Sequence, residues 1–258
     1  MYAEKYDITE LCMFNLNEGL MQYFFDGKVA DWKFYLAYVI GMIAIIVIPY
    51  LLGSINSAII ISRVGFKDDI RNHGSGNAGL TNMLRTYGLG AAGLTLVGDI
   101  LKTVIAIAIA GVIWGFGYVA AISTEQYLYV AGMFAVLGHI FPIYYKFKGG
   151  KGVLATATMA LVLSPIPFVI LLAIFAGLVF WTKYVSLGSV VGVALYPVII
   201  TGYFMVAFGV SAPGLTTLCT VLLAILIVWC HRGNLQRISD RTERRISFKK
   251  KEKDGEEK

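Results

Sequence analysis

Charged residues are scarce in this chain, and this scarcity is the first indication of the class of protein. Asp, Glu, Lys and Arg make up 15% of the 258 residues, where a typical soluble domain has about 25%. Hydrophobic residues reach 57%, and the mean hydropathy is +0.71. These values argue against a soluble globule and predict a polytopic membrane protein. The net charge of +6 does not indicate nucleic-acid binding, because we expect no soluble domain that could present a groove.

Cysteine and leader signals are also sparse. Cys12, Cys219 and Cys230 match no metal-ligand or disulfide spacing, so we interpret them as small apolar side chains and predict neither a metal nor a cofactor. The N-terminus lacks a basic leader with a cleavage site, so we expect no signal peptide. Residues 1–33, with LMQYFF at 20–25, are typical of an interfacial helix outside the membrane.

Long apolar runs are what the chain has in abundance. An apolar run of about 20 residues can cross a bilayer as a helix. The run 153–181 is too long for one span, and Ser164, Pro165 and Pro167 interrupt it, so we predict two short helices joined by a tight turn. The sequence therefore predicts an all-α integral membrane protein with seven transmembrane helices, drawn from residues 40–62, 91–117, 127–145, 153–181, 187–210 and 215–230.

The distribution of Lys and Arg predicts the orientation of these helices. Basic residues collect on the cytoplasmic side of short loops. They occur in the loops around Arg71, Lys148 and Lys183 and in the C-terminal tail, and the alternate loops contain none. We therefore predict an N-terminus outside and a C-terminus in the cytoplasm. The organisation expected is an extracytoplasmic extension (1–33), a seven-helix domain (34–245) and a charged, disordered tail (246–258).

Two charged residues fall inside the second predicted span. Asp99 and Lys102 are three apart and share a helix face. Ionisable groups at membrane depth are candidates for function. Two interpretations remain open: an internal ion pair that fastens helices, or a charged wall of a site that opens to the cytoplasm. His139 in the third span fits a buried, hydrogen-bonded histidine.

The first inner loop concentrates glycine with hydrogen-bonding groups, in DIRNHGSGNAGLTNMLR (69–85). Glycine lets backbone N–H groups approach a ligand closely, and consecutive N–H groups form anion sites. Arginine pairs well with phosphate oxygens. A plain connecting loop and a headgroup-facing turn are the alternatives. An anion site is favoured, built from Arg71, Gly74, Ser75, Gly76, Asn77, Thr81, Asn82 and Arg85.

Two further polar motifs lie on the same predicted side. KFKGGKGV (146–153) runs into a helix start, where unpaired N–H groups and the helix dipole favour anions; the nucleotide-binding spacing GxxxxGK[ST] is absent. HRGNLQR (231–237) places His231 and Asn234 on one helix face, although an interfacial anchor is an equal alternative. Three such loops predict one site for two phosphate-bearing ligands; a transporter of phosphorylated solutes or a lipid-binding scaffold would be the rival classes.

These motifs, in order, resemble those of the acyl-phosphate-dependent glycerol-3-phosphate acyltransferases of bacterial membranes (the PlsY type). RNHGSGNAGLTNMLR, GHIFPIYYKFKGGKGV and HRGNLQR with a later Glu243 carry the resemblance, and GDILK (98–102) and TKYVSLGS (182–189) match further positions. The resemblance covers about residues 45 to 245. Departures stand at Asn56, Leu80 and Arg241, and at Leu154 and Ala155, where the family has alanine and threonine.

The resemblance implies a seven-helix enzyme of the bacterial plasma membrane that moves a fatty acyl group from acyl phosphate to the 1-hydroxyl of sn-glycerol 3-phosphate. Its products are lysophosphatidic acid and phosphate, and its implied partners are membrane lipid and the enzyme that supplies acyl phosphate. The residues implied as catalytic are Ser75, Arg85, Asp99, Lys102, His231 and Asn234. Those implied in substrate binding are Arg71, Gly74, Gly76, Asn77, Asn82, Gly149, Gly150, Lys151, Gly152, Lys183, Ser186 and Arg237.

The chemistry expected is direct transfer. An acyl phosphate is already activated, and the sequence shows no Ser/His/Asp or Cys/His arrangement that requires a covalent intermediate. Positioning and charge stabilisation are then the main contributions. Asp99, His231 or a phosphate oxygen of the substrate are the candidates for the base, and the sequence leaves these three open.

Overall fold

The protein is described here by a computed structural model that covers residues 32–114 and 122–246. The predicted interfacial helix and disordered tail lie largely outside these ranges. Within them the secondary structure is helical, without strands. Two short 3₁₀ turns, Ile70–Asn72 and Ile143–Tyr145, lie between α-helices. The α-helices are α1 Trp32–Gly53, α2 Ser57–Phe66, α3 Leu80–Trp114, α4 Ile122–Ile140, α5 Val153–Leu163, α6 Pro165–Thr182, α7 Val185–Phe208, α8 Gly214–Cys230 and α9 Arg232–Ser239.

The apolar helices confirm an all-helical membrane-type fold. In the described ranges, five segments are long and apolar enough to cross a bilayer, and α8 with α9, bent by 53°, counts as a sixth if the two helices are taken as one span. The five are Val39–Phe66, Leu80–Ile113, Gln126–Tyr145, Pro165–Thr182 and Val185–Phe208. Helix α5 has 11 residues, so it extends about 16 Å, roughly half of a 30 Å hydrocarbon core. The predicted count of seven spans therefore stays a prediction.

The first predicted span is broken rather than continuous. Asn56 ends the break between α1 and α2, and its side chain accepts a hydrogen bond from the Ile59 amide at 3.0 Å. An asparagine that satisfies a free amide in this way starts a new helix. The break also releases the carbonyl of Ile55, which accepts a hydrogen bond from Lys102 Nζ at 2.9 Å. The intramembrane lysine thus compensates for the interrupted backbone.

The glycine-rich motif is only partly a loop, so the prediction of one loop over 69–85 is wrong in its second half. Helix α3 begins at Leu80, directly after Gly79, whose carbonyl accepts hydrogen bonds from the Asn82 and Met83 amides. Arg85 is therefore a helical residue. Gly88, with φ 82°, interrupts the helical backbone after it, which glycine permits at low cost. The second predicted span accordingly starts earlier than residue 91.

The prediction of two helices within 153–181 is confirmed. Helix α5 ends at Leu163 and α6 begins at Pro165, with Ser164 alone between them. Proline at the first helical position costs little because that N–H has no helical acceptor. Helix α6, at 18 residues, is longer than the short helix expected.

Helix α4 lies at the centre of the bundle and packs against α1, α3, α5 and α8. Small residues allow the closest contact, which is with α1. A Cβ on Gly53 would lie 2.0 Å from the Ala135 carbonyl oxygen, and one on Gly138 would lie 2.2 Å from the Tyr50 carbonyl oxygen. Close backbone approach through small residues is the usual basis of helix packing in membranes. This packing fixes the inner end of α4, where His139 lies.

Candidate active site

A cavity of about 660 Å³ collects the polar motifs at one end of the bundle. It is lined by the first loop and the start of α3, the start of α5, the start of α7, and the segment from α9 to Arg244. Residues far apart in sequence therefore form one wall. Thirteen of the predicted site residues line it: Gly74, Ser75, Asn77, Thr81, Asn82, Arg85, Asp99, Lys151, Gly152, Ser186, His231, Asn234 and Arg237.

Glu243 organises the wall opposite the first loop. One of its carboxylate oxygens accepts hydrogen bonds from Ser186 Oγ and Asn234 Nδ2, both at 2.7 Å, and the other accepts from Arg237 Nε at 2.8 Å. Asn234 in turn accepts a hydrogen bond from Lys151 Nζ. The side chain of Glu243 is 6% exposed. One buried carboxylate therefore joins residues from α7, α9 and the second loop (residues 146–152).

The charges on this wall influence one another. The pKa of Lys151 is lowered to about 8, chiefly by burial; the nearby cation Arg237 also lowers it, and Glu243 raises it. Burial raises the pKa of Glu243, but hydrogen bonds from Ser186, Asn234 and Arg237 outweigh it and hold the pKa below its ordinary value. Glu243 is therefore an anion at neutral pH, and Lys151 is a cation that can be neutralised in mild alkali.

Asn82 shapes the first loop from within. Its Nδ2 donates to the carbonyls of Ile70, His73 and Asn77 at 3.0 to 3.2 Å, and its Oδ1 accepts from the Ser75 amide at 3.1 Å. All of its hydrogen-bonding capacity is directed to the loop. Its role is therefore to position Ser75, and its own contact with a ligand stays a prediction.

Arg71 fastens the first loop to the second instead of lining the cavity. Its guanidinium donates to Asp69 at 2.7 and 2.9 Å, and to the carbonyls of Tyr145 and Lys148 at 3.1 and 3.2 Å. The hydrogen bond from Arg71 holds the pKa of Asp69 well below its usual range. Arg85 differs, because among the described residues it has no hydrogen-bond partner while it faces the cavity.

Asp99 and Lys102 form the internal ion pair that the sequence left open. Lys102 Nζ lies 2.8 Å from Asp99 Oδ1 and 3.0 Å from His139 Nδ1. Ser57 donates to the same aspartate oxygen at 3.0 Å, and the side chains are 5% exposed or less. Asp99 and His139 also reach the cavity, whereas Lys102 lies behind them. The pair therefore joins helices, and its acidic member also lines the cavity.

His231 lies at the bend between α8 and α9, is 4% exposed and lines the cavity. Its Nδ1 is 2.7 Å from the Ile227 carbonyl oxygen. A carbonyl oxygen only accepts, so Nδ1 carries the hydrogen and a neutral ring keeps an unprotonated Nε2. The bend, which the sequence did not predict, brings the histidine to the start of α9, three residues before Asn234.

The remaining predicted residues surround the cavity without lining it: Arg71, Gly76, Lys102, Gly149, Gly150 and Lys183. Close packing explains why the second loop has two consecutive glycines. A Cβ on Gly149 would lie 2.1 Å from the His139 carbonyl oxygen, and one on Gly150 would lie 2.0 Å from His139 Nε2. These glycines let the loop press against the end of α4, which places Lys151 at the cavity.

Several lining residues are absent from the predicted set: His139, Thr156, Thr158, Ser189, Thr242, Glu243 and Arg244. Glu243 could have been found, since it follows the third motif. Arg244 stands in a basic run that is typical of a charged tail, and Thr156 and Thr158 stand in an apolar helix. No local pattern distinguishes these from ordinary surface or core positions.

The other end of the cavity is an apolar groove between α5, α6 and α7. It continues from the polar wall for about 15 Å along α7, from Ser186 to Tyr196, at about 1.5 Å per residue. Gly192 lies midway. The apolar lining consists of Leu154, Ala160, Leu161, Phe168, Leu171, Leu172, Phe175, Val193 and Tyr196. A cationic end joined to an apolar groove suits a ligand with an anionic head and a hydrocarbon tail.

Comparisons with known proteins agree with this geometry. A sequence profile of glycerol-3-phosphate acyltransferases matches residues 43–241. The glycerol-3-phosphate acyltransferase of Halalkalibacterium halodurans is 40% identical over 203 residues, which cover 78% of this chain and 93% of that protein. The enzyme of the same name from Bacillus subtilis is 36% identical over 205 residues, 79% of this chain and 97% of its own.

Solved structures give the same result. The crystal structure of PlsY (YgiH), an integral membrane glycerol 3-phosphate acyltransferase in its glycerol 3-phosphate form, superposes with a TM-score of 0.66. It is 29% identical in sequence and covers 80% of this chain and 96% of its own. A second structure of that protein, in a lysophosphatidic acid form, matches equally. The apolar helices, the motifs and these matches identify a multi-pass membrane protein that belongs to the glycerol-3-phosphate acyltransferase family.

Proposed function

We propose that this protein transfers a fatty acyl group from acyl phosphate to the 1-hydroxyl of sn-glycerol 3-phosphate, yielding lysophosphatidic acid and inorganic phosphate. One observation carries the proposal: a single cavity joins a cationic wall, with Lys151, Arg85 and Arg237, to an apolar groove. Both substrates have a phosphate, and the donor also has a hydrocarbon tail. The names of the relatives support the acyltransferase class, and the likeness to PlsY supports the acyl phosphate donor.

In the proposed reaction the acceptor hydroxyl oxygen attacks the acyl carbonyl carbon. The bond between that carbon and the phosphate oxygen breaks, and phosphate leaves with the electron pair. Arg85 and Lys151 stabilise the departing phosphate, while Ser75 and Asn234 orient the glycerol 3-phosphate. Holding two anions close together in a partly dry cavity accounts for most of the acceleration. Glu243 acts on the substrate only through Asn234, Ser186 and Arg237.

The hydroxyl proton needs an acceptor, and His231 is the best placed of the three candidates. Its Nδ1 is occupied by the Ile227 carbonyl, which leaves Nε2 as the basic atom. The Asp99 carboxylate is already engaged, since it is paired with Lys102 and accepts a hydrogen bond from Ser57. We therefore assign the base to His231, with the aspartate as a neutralised part of the wall. Replacement of His231 by Gln should lower kcat and leave the KM for glycerol 3-phosphate nearly unchanged.

The membrane arrangement is part of the proposal. We place seven apolar segments across a bacterial plasma membrane, with α5 and its neighbour α6 as the fourth and fifth, the N-terminus outside and the polar end of the cavity in the cytoplasm. The short α5 would cross with the help of polar flanks at the cavity. Glycerol 3-phosphate would then enter from the cytoplasm, and the acyl tail would enter from the lipid.

The experiment that tests the function measures phosphate release by purified protein in lipid. Acyl phosphate is supplied with and without glycerol 3-phosphate, and acyl-CoA serves as a parallel donor. We expect release that depends on glycerol 3-phosphate, lysophosphatidic acid as product, and no turnover of acyl-CoA. Absence of release from folded protein would contradict the proposal and direct attention to transport of phosphorylated solutes in sealed vesicles.

A further inference from the structure

Thr156 carries a buried hydroxyl without a partner. The residue is 5% exposed and lines the cavity, and no group among the described residues forms a hydrogen bond with its Oγ1. Burying an unpaired hydroxyl is costly, so native proteins rarely do so without a reason.

Six other helical threonines show the usual solution, whereas Thr216, in the first turn of α8 and outside the cavity, also lacks a partner among the described residues. A threonine in a helix donates its hydroxyl hydrogen to the carbonyl four residues earlier. Thr158, on the same helix and also lining the cavity, donates in this way to the Leu154 carbonyl at 2.9 Å. Five more do the same: Thr95, Thr103, Thr182, Thr201 and Thr220. Thr156 departs from this pattern at a ligand cavity.

Its position in the cavity indicates which part of a ligand it meets. Thr156 lies one turn into α5, about 6 Å from Gly152 along the helix, where the cationic wall with Lys151 ends. Beyond it the lining is mainly apolar, with Ala160, Leu161 and Phe168. Thr156 therefore lies at the boundary between the phosphate end and the hydrocarbon end. In an acyl phosphate or a lysophosphatidic acid, the acyl carbonyl lies at that boundary.

We propose that the Thr156 hydroxyl donates a hydrogen bond to the carbonyl oxygen of the acyl group being transferred. This inference rests on the proposed function and adds a residue that touches the reacting carbonyl. As the acceptor hydroxyl attacks, negative charge develops on that oxygen. A preorganised donor then stabilises the transition state more than the ground state. The cost of the unpaired hydroxyl is offset when substrate binds.

Thr156→Val tests the proposal, because valine keeps the shape and removes the hydroxyl. We expect kcat/KM for acyl transfer to fall by at least about tenfold, and the melting temperature without substrate to stay the same or rise. Thr156→Ser retains the hydroxyl and should retain most of the activity. Thr95→Val is the matched control, since its hydroxyl is satisfied within α3 and the residue does not line the cavity; it should keep the wild-type kcat/KM.

A binding comparison isolates the contact itself. Lysophosphatidic acid has the carbonyl, whereas its 1-O-alkyl ether analogue lacks it. Wild type and Thr95→Val should bind the ester about three to ten times more tightly than the ether, which corresponds to one hydrogen bond. Thr156→Val should bind both equally.

The outcomes separate this inference from the proposed function. Equal binding of ester and ether by wild type, or wild-type kcat/KM in Thr156→Val, would overturn the role of Thr156 while acyl transfer stands. Wild-type protein that neither transfers an acyl group nor binds lysophosphatidic acid would overturn both. The wild-type ester preference can be measured even if Thr156→Val does not fold.

Discussion

Lys151 and Arg85 reach the cavity by different routes, and each adds a positive charge at its polar end. Lys151 comes from the glycine loop that presses against α4, and Arg85 comes from the first turns of α3. Both side chains belong to one wall only because two loops fold against each other. At the scale of the single residue, the proposal depends on their charge.

Replacing either cation by alanine should abolish most of the acyl transfer. We expect kcat/KM to fall by at least about 100-fold in Lys151→Ala and in Arg85→Ala, because the leaving phosphate loses a fixed positive charge. Lys148→Ala is the matched control: its side chain is exposed and does not line the cavity. Steady-state kinetics on purified protein in lipid provide the measurement, with size-exclusion profiles to verify folding. Wild-type turnover in both alanine variants would refute the assignment of the anion site.

The rate should depend on pH through Lys151. Its pKa is lowered to about 8, so it is protonated below pH 8 and neutral above. Because the cation binds phosphate, log kcat/KM should be level from pH 7 to about 8 and then fall toward a slope of about one per pH unit, since kcat/KM reports ionisation in the free enzyme. A level profile up to pH 9.5, after subtraction of uncatalysed hydrolysis, would show that this ionisation does not limit binding.

At the scale of helices, small residues determine the space available to the substrate. Gly192 lies midway along the apolar groove, and a Cβ there would meet no atom within 4 Å. Gly202 on the same helix is equally unobstructed but exposed and outside the cavity. Of the two positions, only Gly192 lines the cavity.

Gly192→Phe should shorten the acyl chain that the enzyme accepts. The ring would fill the middle of the groove, so kcat/KM for palmitoyl phosphate should fall at least about tenfold relative to octanoyl phosphate. Gly202→Phe should leave that ratio unchanged. If both variants keep the wild-type ratio, the acyl tail does not follow this groove.

We expect the Asp99–Lys102 pair to stabilise the packing between helices. Lys102→Met leaves a buried carboxylate unpaired, which costs about 3–5 kcal/mol of stability. The double variant Asp99→Asn with Lys102→Met removes both charges and should regain much of that loss. Thermal unfolding in detergent measures both. A catalytic Lys102, as the resemblance implies, would instead give full stability with lost activity in the single variant.

For the whole molecule, the proposal requires that the polar end of the cavity faces the cytoplasm. In a background where Cys12, Cys219 and Cys230 are replaced by alanine, Lys148→Cys and Ser211→Cys place single thiols in exposed loops at Lys148 and Ser211. A membrane-impermeant maleimide should label Lys148→Cys only in inverted vesicles and Ser211→Cys only in right-side-out vesicles. The reverse pattern would place the site outside and contradict the proposed orientation.

The sequence by itself determined the class of protein and most of the polar wall. Apolar runs near 20 residues long, interrupted by Ser164 and Pro165, are sufficient to predict helices, because a bilayer leaves few alternatives. Ser75, Lys151 and Asn234 could be chosen because glycine and cationic groups near helix starts have a local reason to bind anions.

Only the tertiary structure decided which of these residues face the ligand. In the sequence Arg71 looked equivalent to Arg85, yet its guanidinium joins the first loop to the second. Lys102 donates a hydrogen bond to the carbonyl of Ile55, at the break between α1 and α2. Thr156 is indistinguishable from Thr158 in sequence, and only the packing of α5 against the cavity leaves one hydroxyl satisfied and the other without a partner. Such differences arise from contacts between distant segments, and local periodicity carries no information about them.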